Sequence, residues 1–177
     1  MKVSAGFTLV ELMVVLTIIA VLLSLGVPSY RYVTNSNRIS AEVNALLGDL
    51  QFARSEAVKE GGTVIVCPAN TALSACTNSS TWNNGWLVIS NTTGNPVVLR
   101  VQAPFANTKD SFVSADGQTT EISFNRNGFA SAMPALANGS VTIKLTTTPN
   151  VSQWQRCVEV VMGGAITTEK YNQDACT

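Results

Sequence analysis

The chain has no histidine among its 177 residues. That removes Ser-His-Asp and Cys-His nucleophile systems, HExxH zinc sites and histidine pH switches. Charge is also scarce. Lys, Arg, Asp and Glu make up 12% of the chain, where a soluble domain usually carries about 25%. The 11 basic residues balance the 11 acidic ones, which argues against a generally basic nucleic-acid binder. No CxxC, P-loop or GxGxxG is present. Twelve Gly and six Pro are too few for a collagen-like or low-complexity disordered chain. What remains is a hydrophobic chain (46% apolar) of a length that suits one domain with an appendage.

The appendage is N-terminal. From Phe7 to Val27 apolar residues follow one another almost without interruption, over about 21 residues. At roughly 1.5 Å per residue this spans about 30 Å, one hydrocarbon core. A secretory signal has an apolar region of about 7–15 residues and a small-residue cleavage site after it. Here the run is longer and Pro28, Ser29, Tyr30 and Arg31 follow, so the segment reads as a retained membrane helix. Lys2 favours a cytoplasmic N-terminus, while Arg31 and Arg38 count against that bias. Glu11 is out of place in this run. A carboxylate at the centre of a membrane helix costs on the order of 2.5–3.5 kcal/mol. Near a helix end it can reach water; otherwise it calls for a positive partner from another chain.

Beyond the run, Gly26 and Pro28 loosen or kink a helix without necessarily ending it. Ile39, Val43, Leu46, Leu47, Leu50, Ala53, Ala57 and Val58 then recur at three- and four-residue spacing. Gly61-Gly62 supplies a stop. The pattern predicts one long helix from Phe7 to about Glu60. After Gly62, short β-like runs at 63–67, 86–90, 97–101, 121–124, 141–147, 157–162 and 165–169 alternate with turns. Asn84-Gly85, Asp116-Gly117, Asn127-Gly128 and Asn138-Gly139 mark those turns. The fold class is α+β: a membrane half and an amphipathic half of one helix, the latter packed on an antiparallel sheet. Arg54 and Glu56 read as solvated helix charges, and Trp86 as a core residue of its strand.

Gly6-Phe7-Thr8-Leu9-Val10-Glu11 resembles the processing site of type IV pilins and pseudopilins. The resemblance implies that a prepilin peptidase cuts between Gly6 and Phe7 and methylates the Phe7 amine. It implies that Glu11 pairs with the Phe7 amine of a neighbouring subunit during assembly. Gln51-Phe52-Ala53-Arg54-Ser55-Glu56-Ala57, Asn83-Asn84-Gly85-Trp86-Leu87-Val88-Ile89 and Ile122-Ser123-Phe124-Asn125-Arg126-Asn127-Gly128 are similar to segments of the GspH/FimT family of minor pilins, of the FimT/FimU type. The expected organisation is therefore pilin-like. Residues 1–6 form a cleaved leader, 7–27 a transmembrane and filament-core helix, 28–60 its amphipathic continuation with a kink at Pro28, and 61–177 a β-rich periplasmic head. The implied site is the inner membrane, single-pass, and after assembly the pilus, at its tip. Partners would be other minor pilins, the major pilin and the prepilin peptidase.

Four cysteines allow three pairings. The expected pairs are Cys67–Cys76, which would close a short loop after a strand, and Cys157–Cys176, which would tie the tail to the last long strand. The C-terminal disulfide loop common in type IV pilins agrees with the second. A zinc site is a poor alternative, because the spacings are long and no histidine exists. Asp110, Asp116 and Glu121 fall near turns and read as solvated carboxylates, not as an acid/base pair. The chain therefore reads as a non-enzyme without cofactor or metal. Some members of the family bind DNA through an arginine-bearing segment near the C-terminus. Here residues 163–177 hold one Lys against Glu169 and Asp174, and no arginine. Phosphate affinity comes largely from clustered Lys and Arg. DNA contact would require Lys144, Arg156 and Lys170 to converge. The first reading is a minor pilin that initiates or caps a type IV pilus. The alternatives are the tip pseudopilin of a type II secretion system and a DNA-binding minor pilin for natural transformation.

Overall fold

A computed structural model describes residues 6–92, 94–105, 108–133, 139–148 and 151–170. The chain divides into two compact units, residues 1–37 and 38–177. A single helix, α1 (Leu9–Glu60), contributes to both. It continues through Pro28, as the sequence pattern predicts. It ends where Gly61 takes a left-handed conformation and Gly62 N–H donates back to Ala57 O at 3.2 Å, a Schellman-type cap.

In the first unit every described side chain up to Val33 is exposed. Polar side chains in this stretch bond within the helix: Thr17 Oγ1 donates to Val14 O at 2.8 Å and Ser24 Oγ to Val21 O at 2.7 Å. α1 is long and apolar enough to cross a membrane, with a window of mean hydropathy 2.6.

The second unit packs the other part of α1 on strands. Ile39, Val43, Leu46, Leu50, Ala53 and Ala57, at three- and four-residue spacing, are all buried. The strands are β1 (Val64–Pro68), β2 (Trp86–Ser90), β3 (Val97–Gln102), β4 (Asp110–Ser114), β5 (Glu121–Phe124), β6 (Ala130–Met133), β7 (Ser140–Thr147), β8 (Arg156–Val161) and β9 (Ile166–Lys170). They form two antiparallel sheets, ordered β3-β2-β1-β5-β6 and β4-β7-β8-β9, where the sequence suggested one. Both sheets share the main core with α1: Val64, Val66, Trp86, Val88, Ile122 and Phe124 from the first, and Ile143, Leu145, Val158 and Val160 from the second.

The alternate residues of β1 and β2 do not face water. Cys67, Leu87 and Ile89 join Ala69 in a second, smaller cluster, with Leu73 packed against it. The loop closed by the Cys67–Cys76 disulfide supplies that cover, with Ala69 bridged to Cys76. Burial on both faces explains why β2 reads as a continuous apolar run rather than an alternating one.

β4 and β6 were not legible as strands. Of the three buried residues of β4, two are Asp110 and Ser114, so apolar alternation is missing. β6 buries Ala130 and Ala132, which carry little apolar signal.

Candidate functional site

At the N-terminus, Gly6, Phe7 and Glu11 are exposed. Glu11 N–H donates to Thr8 Oγ1 at 3.2 Å, so Thr8 caps the helix and Glu11 stands at the third helical position. Thr8-x-x-Glu11 has the spacing of a capping box, and an acid in the first turn also suits the positive end of the helix dipole. Glu11 thus gives its backbone N–H to the cap, a local contact that a reading based on membrane cost alone overlooked. Its signal, a Thr three residues before a Glu ahead of an apolar run, was present in the sequence.

In the head, charged residues that read as solvated are held in specific pairs. Asp110 is 8% exposed and accepts from Arg38 twice, from Nε at 2.8 Å and from Nη2 at 3.1 Å. Arg38 Nη2 also reaches Thr147 Oγ1 at 3.4 Å. Glu42, one turn along α1 and 5% exposed, lies beside this pair. Burial, then the Asp110 charge and the hydrogen bond with it, raise the Glu42 carboxyl to about 7, against a smaller pull from Arg38. Its Oε2 is buried without a hydrogen-bond partner. Asp110 is therefore a corrected reading: its turn-like sequence context hid a buried carboxylate paired with a partly exposed Arg38 across 72 residues. Asp116 is also engaged. Burial opposes its charge, but hydrogen bonds from Ser114, Gln118 and Thr119 outweigh this and hold it well below the usual carboxylate range. Glu121 is half-buried on β5.

Trp86 is a core residue, as the sequence implied, and its indole N–H is satisfied by Asp49 Oδ2 at 2.9 Å. Arg100, which the sequence did not single out, donates to Asp49 Oδ1 at 3.0 Å and lies over the Phe52 ring at 3.7 Å. Arg54 is exposed, but not merely solvated: its Nε donates to Gly128 O at 3.1 Å. A Cβ on Gly164 would lie 1.9 Å from Gly128 O and 3.0 Å from Arg54 Nε. α1 and the β5–β6 and β8–β9 turns therefore meet at Arg54. Glu56 pairs with Lys59 at 3.1 Å on the surface.

The three cations considered for DNA do not converge. Leu145 pairs with Arg156, and Arg156 with Lys170, so these share one face of the second sheet. Lys144 pairs with Cys157 and, by strand alternation, lies on the opposite face. Arg156 Nη1 already donates to Gln153 O at 2.9 Å and Gln155 O at 2.8 Å. Cys157 is buried on β8. Its expected partner, Cys176, lies outside the described residues.

These contacts tie α1 to the strands and turns of the head. A family model described as type II transport protein GspH matches residues 42–164. The chain belongs to the GspH family. The prokaryotic N-terminal methylation motif matches residues 1–27. The type II secretion system protein H of Pseudomonas aeruginosa is 43% identical over 58 residues, which is 33% of this chain and 34% of that protein. The match thus spans about a third of that relative. Two crystal structures of the type IV minor pilin FimU of Pseudomonas aeruginosa share the fold. One aligns with TM-score 0.58 at 18% identity over 84% of this chain and 99% of FimU. The other gives 0.54 at 19% over 80% and 99%. The pilin-like α+β fold is the one expected.

Proposed function

We propose that this GspH-family chain is a minor pilin that initiates or caps a type IV pilus. The observation that carries the reading is the contrast within α1: an exposed apolar segment inside the methylation-motif match, followed along α1 by a stripe that is buried. The apolar segment holds the subunit in the inner membrane before assembly and packs among other pilin helices afterwards. Prepilin peptidase cuts between Gly6 and Phe7 and methylates the Phe7 amine. Glu11, exposed near the new terminus, meets the Phe7 amine of a neighbour and sets the register. The β-rich head lies in the periplasm and presents its surface to other minor pilins and the major pilin. No step of this is enzymatic on the part of the chain itself.

A second reading, the tip pseudopilin of a type II secretion system, is favoured by the stretch shared with a secretion protein H. Deleting the gene, with a restored copy as control, separates the two. Loss of surface pili with normal protein export supports the pilus reading. Normal pili with lost export replaces it with the secretion reading. In the same strains Glu11→Ala should insert in the membrane normally and enter filaments poorly. Gly6→Leu should leave the longer precursor in membranes. The DNA-receptor reading draws no support from the arrangement of Lys144, Arg156 and Lys170.

A further inference from the structure

An unpaired strand edge presents a row of N–H and C=O groups that recruits other strands, and proteins usually blunt such edges. Among the described residues the head has four of them: β3 and β6 in one sheet, β4 and β9 in the other. Three are managed. β4 is covered by the segment at 80–83: Trp82 N–H donates to Phe112 O at 2.8 Å, Ser114 N–H to Ser80 O at 3.0 Å, and Phe112 N–H to Asn83 Oδ1 at 2.7 Å. β6 gives its Ala130 N–H to Met162 O at 2.9 Å. β9 exposes Thr167, Thr168, Glu169 and Lys170, a polar and charged edge.

β3 has none of these protections. Val97, Val98 and Val101 are 54%, 41% and 50% exposed. Its one charge, Arg100, is already committed to Asp49 and Phe52. A register shift opposite Val88/Ile89 places Val98 against Ile89 and Val101 against Leu87, both members of the smaller cluster. Val98 and Val101 thus extend the face that carries that cluster out to an open edge. Among the described residues, no hydrogen bond reaches the outer side of β3.

We infer that β3 is a docking edge for an extended segment of a neighbouring, different pilin-fold subunit, uncharged and rich in β-branched or other apolar residues. The inference rests on the pilin reading above. The backbone row selects a strand, and valines beside a neutralised Arg100 select an uncharged one. A six-residue edge with three half-exposed valines falls well short of the about 800 Å² per partner that a stable free complex needs. A symmetric pair of two copies would bury only this same short edge on each, which falls short of that area too. A neighbour already held alongside through its own membrane segment needs only such a small contact, because tethering raises its effective concentration.

The test uses the full-length chain in piliated cells. Val98→Lys combined with Val101→Lys is compared with Thr167→Lys combined with Thr168→Lys on β9. Burying unpaired lysines at the β3 contact should lower recovery in sheared filaments at least about tenfold, with membrane levels and head protease resistance unchanged. A photo-crosslinking residue at 98 or 101, but not at 168, should give an adduct identified by mass spectrometry as a different pilin-type subunit. That arm decides the matter if the lysine variant loses protease resistance. Normal filament recovery of the β3 variant, equal adducts from 168, or an adduct only between copies of this chain overturns the inference. In each of those cases the wild-type chain is present in filaments, so the pilin reading stands. Absence of the wild-type chain from all filaments overturns both.

Discussion

Within α1, the stretch at 9–27 carries apolar side chains on every face and leaves them exposed, whereas 39–57 gathers them on one stripe that is buried. The first stretch contains no stripe because it has no single partner surface; an apolar medium must surround it. The second has found its partner in the two sheets and needs no other. The difference separates their tasks: the first stretch leaves its apolar surface open, and the second holds a head in shape.

Introducing one acid into each half breaks the comparison most sharply. Leu50→Asp puts an unpaired carboxylate into the core and should cost more than about 4 kcal/mol, abolishing the protease-resistant head. Leu16→Asp, on the exposed half, should change head stability by less than about 0.5 kcal/mol. It should instead weaken membrane retention, at a cost on the order of 2.5–3.5 kcal/mol. Thermal melts and carbonate extraction read the two effects. If the two variants behaved alike, the division of tasks would be wrong.

Gly164→Ala is next in size. Gly164 has φ +78°, and the new Cβ would collide with Gly128 O where Arg54 joins two turns to α1. The head should lose about 2–4 kcal/mol, measured by chemical denaturation, while the first unit keeps its membrane behaviour.

The acid pair at the start of the buried stripe gives a pH signature confined to the head. Glu42 titrates near 7 when folded against an ordinary 4.5. The folded head therefore binds the proton more tightly than the unfolded chain. This stabilisation is full below about pH 4.5 and is lost as the pH rises through about 7. The change should be on the order of 2 kcal/mol, seen as a falling Tm from pH 5 to 8. Glu42→Gln should flatten that slope; an unchanged slope would place the titrating group elsewhere.

The smallest expected effect concerns the Trp86 indole. Trp86→Phe keeps the aromatic packing against Phe105 and Phe112 but leaves Asp49 with Arg100 alone. It should cost about 1–2 kcal/mol, read as a shift in denaturation midpoint with unchanged slope.

The legibility of the molecule follows the same division. The apolar run, its end near Pro28, the helix stripe and the Gly61-Gly62 stop are local patterns, and the periodicity exposed them directly. The strands at 86–90 and 121–124 were bounded correctly because Trp, Val, Ile and Phe dominate them. β4 and β6 escaped because their inward residues are Asp, Ser and Ala, whose burial depends on distant partners. Arg38 and Asp110 illustrate this: each looks like a surface charge until the fold removes 72 residues of separation. Arg54 was misread for a similar reason, since its acceptor is a backbone carbonyl, which has no sequence signature.

By itself, then, the sequence determined the class of the protein: an apolar helix led by a Gly6-Phe7 junction and Glu11, an amphipathic continuation and a β-rich head. Those features rest on helical and strand periods, which neighbouring residues express. Only the tertiary structure decided that the described strands form two sheets, that Glu42 and Asp110 are buried together, that Lys144 faces away from Arg156 and Lys170, and that β3 is an edge left open among the described residues. Each of those depends on which residues meet across long separations, and pairing of that kind is set by packing the whole core rather than by any local pattern.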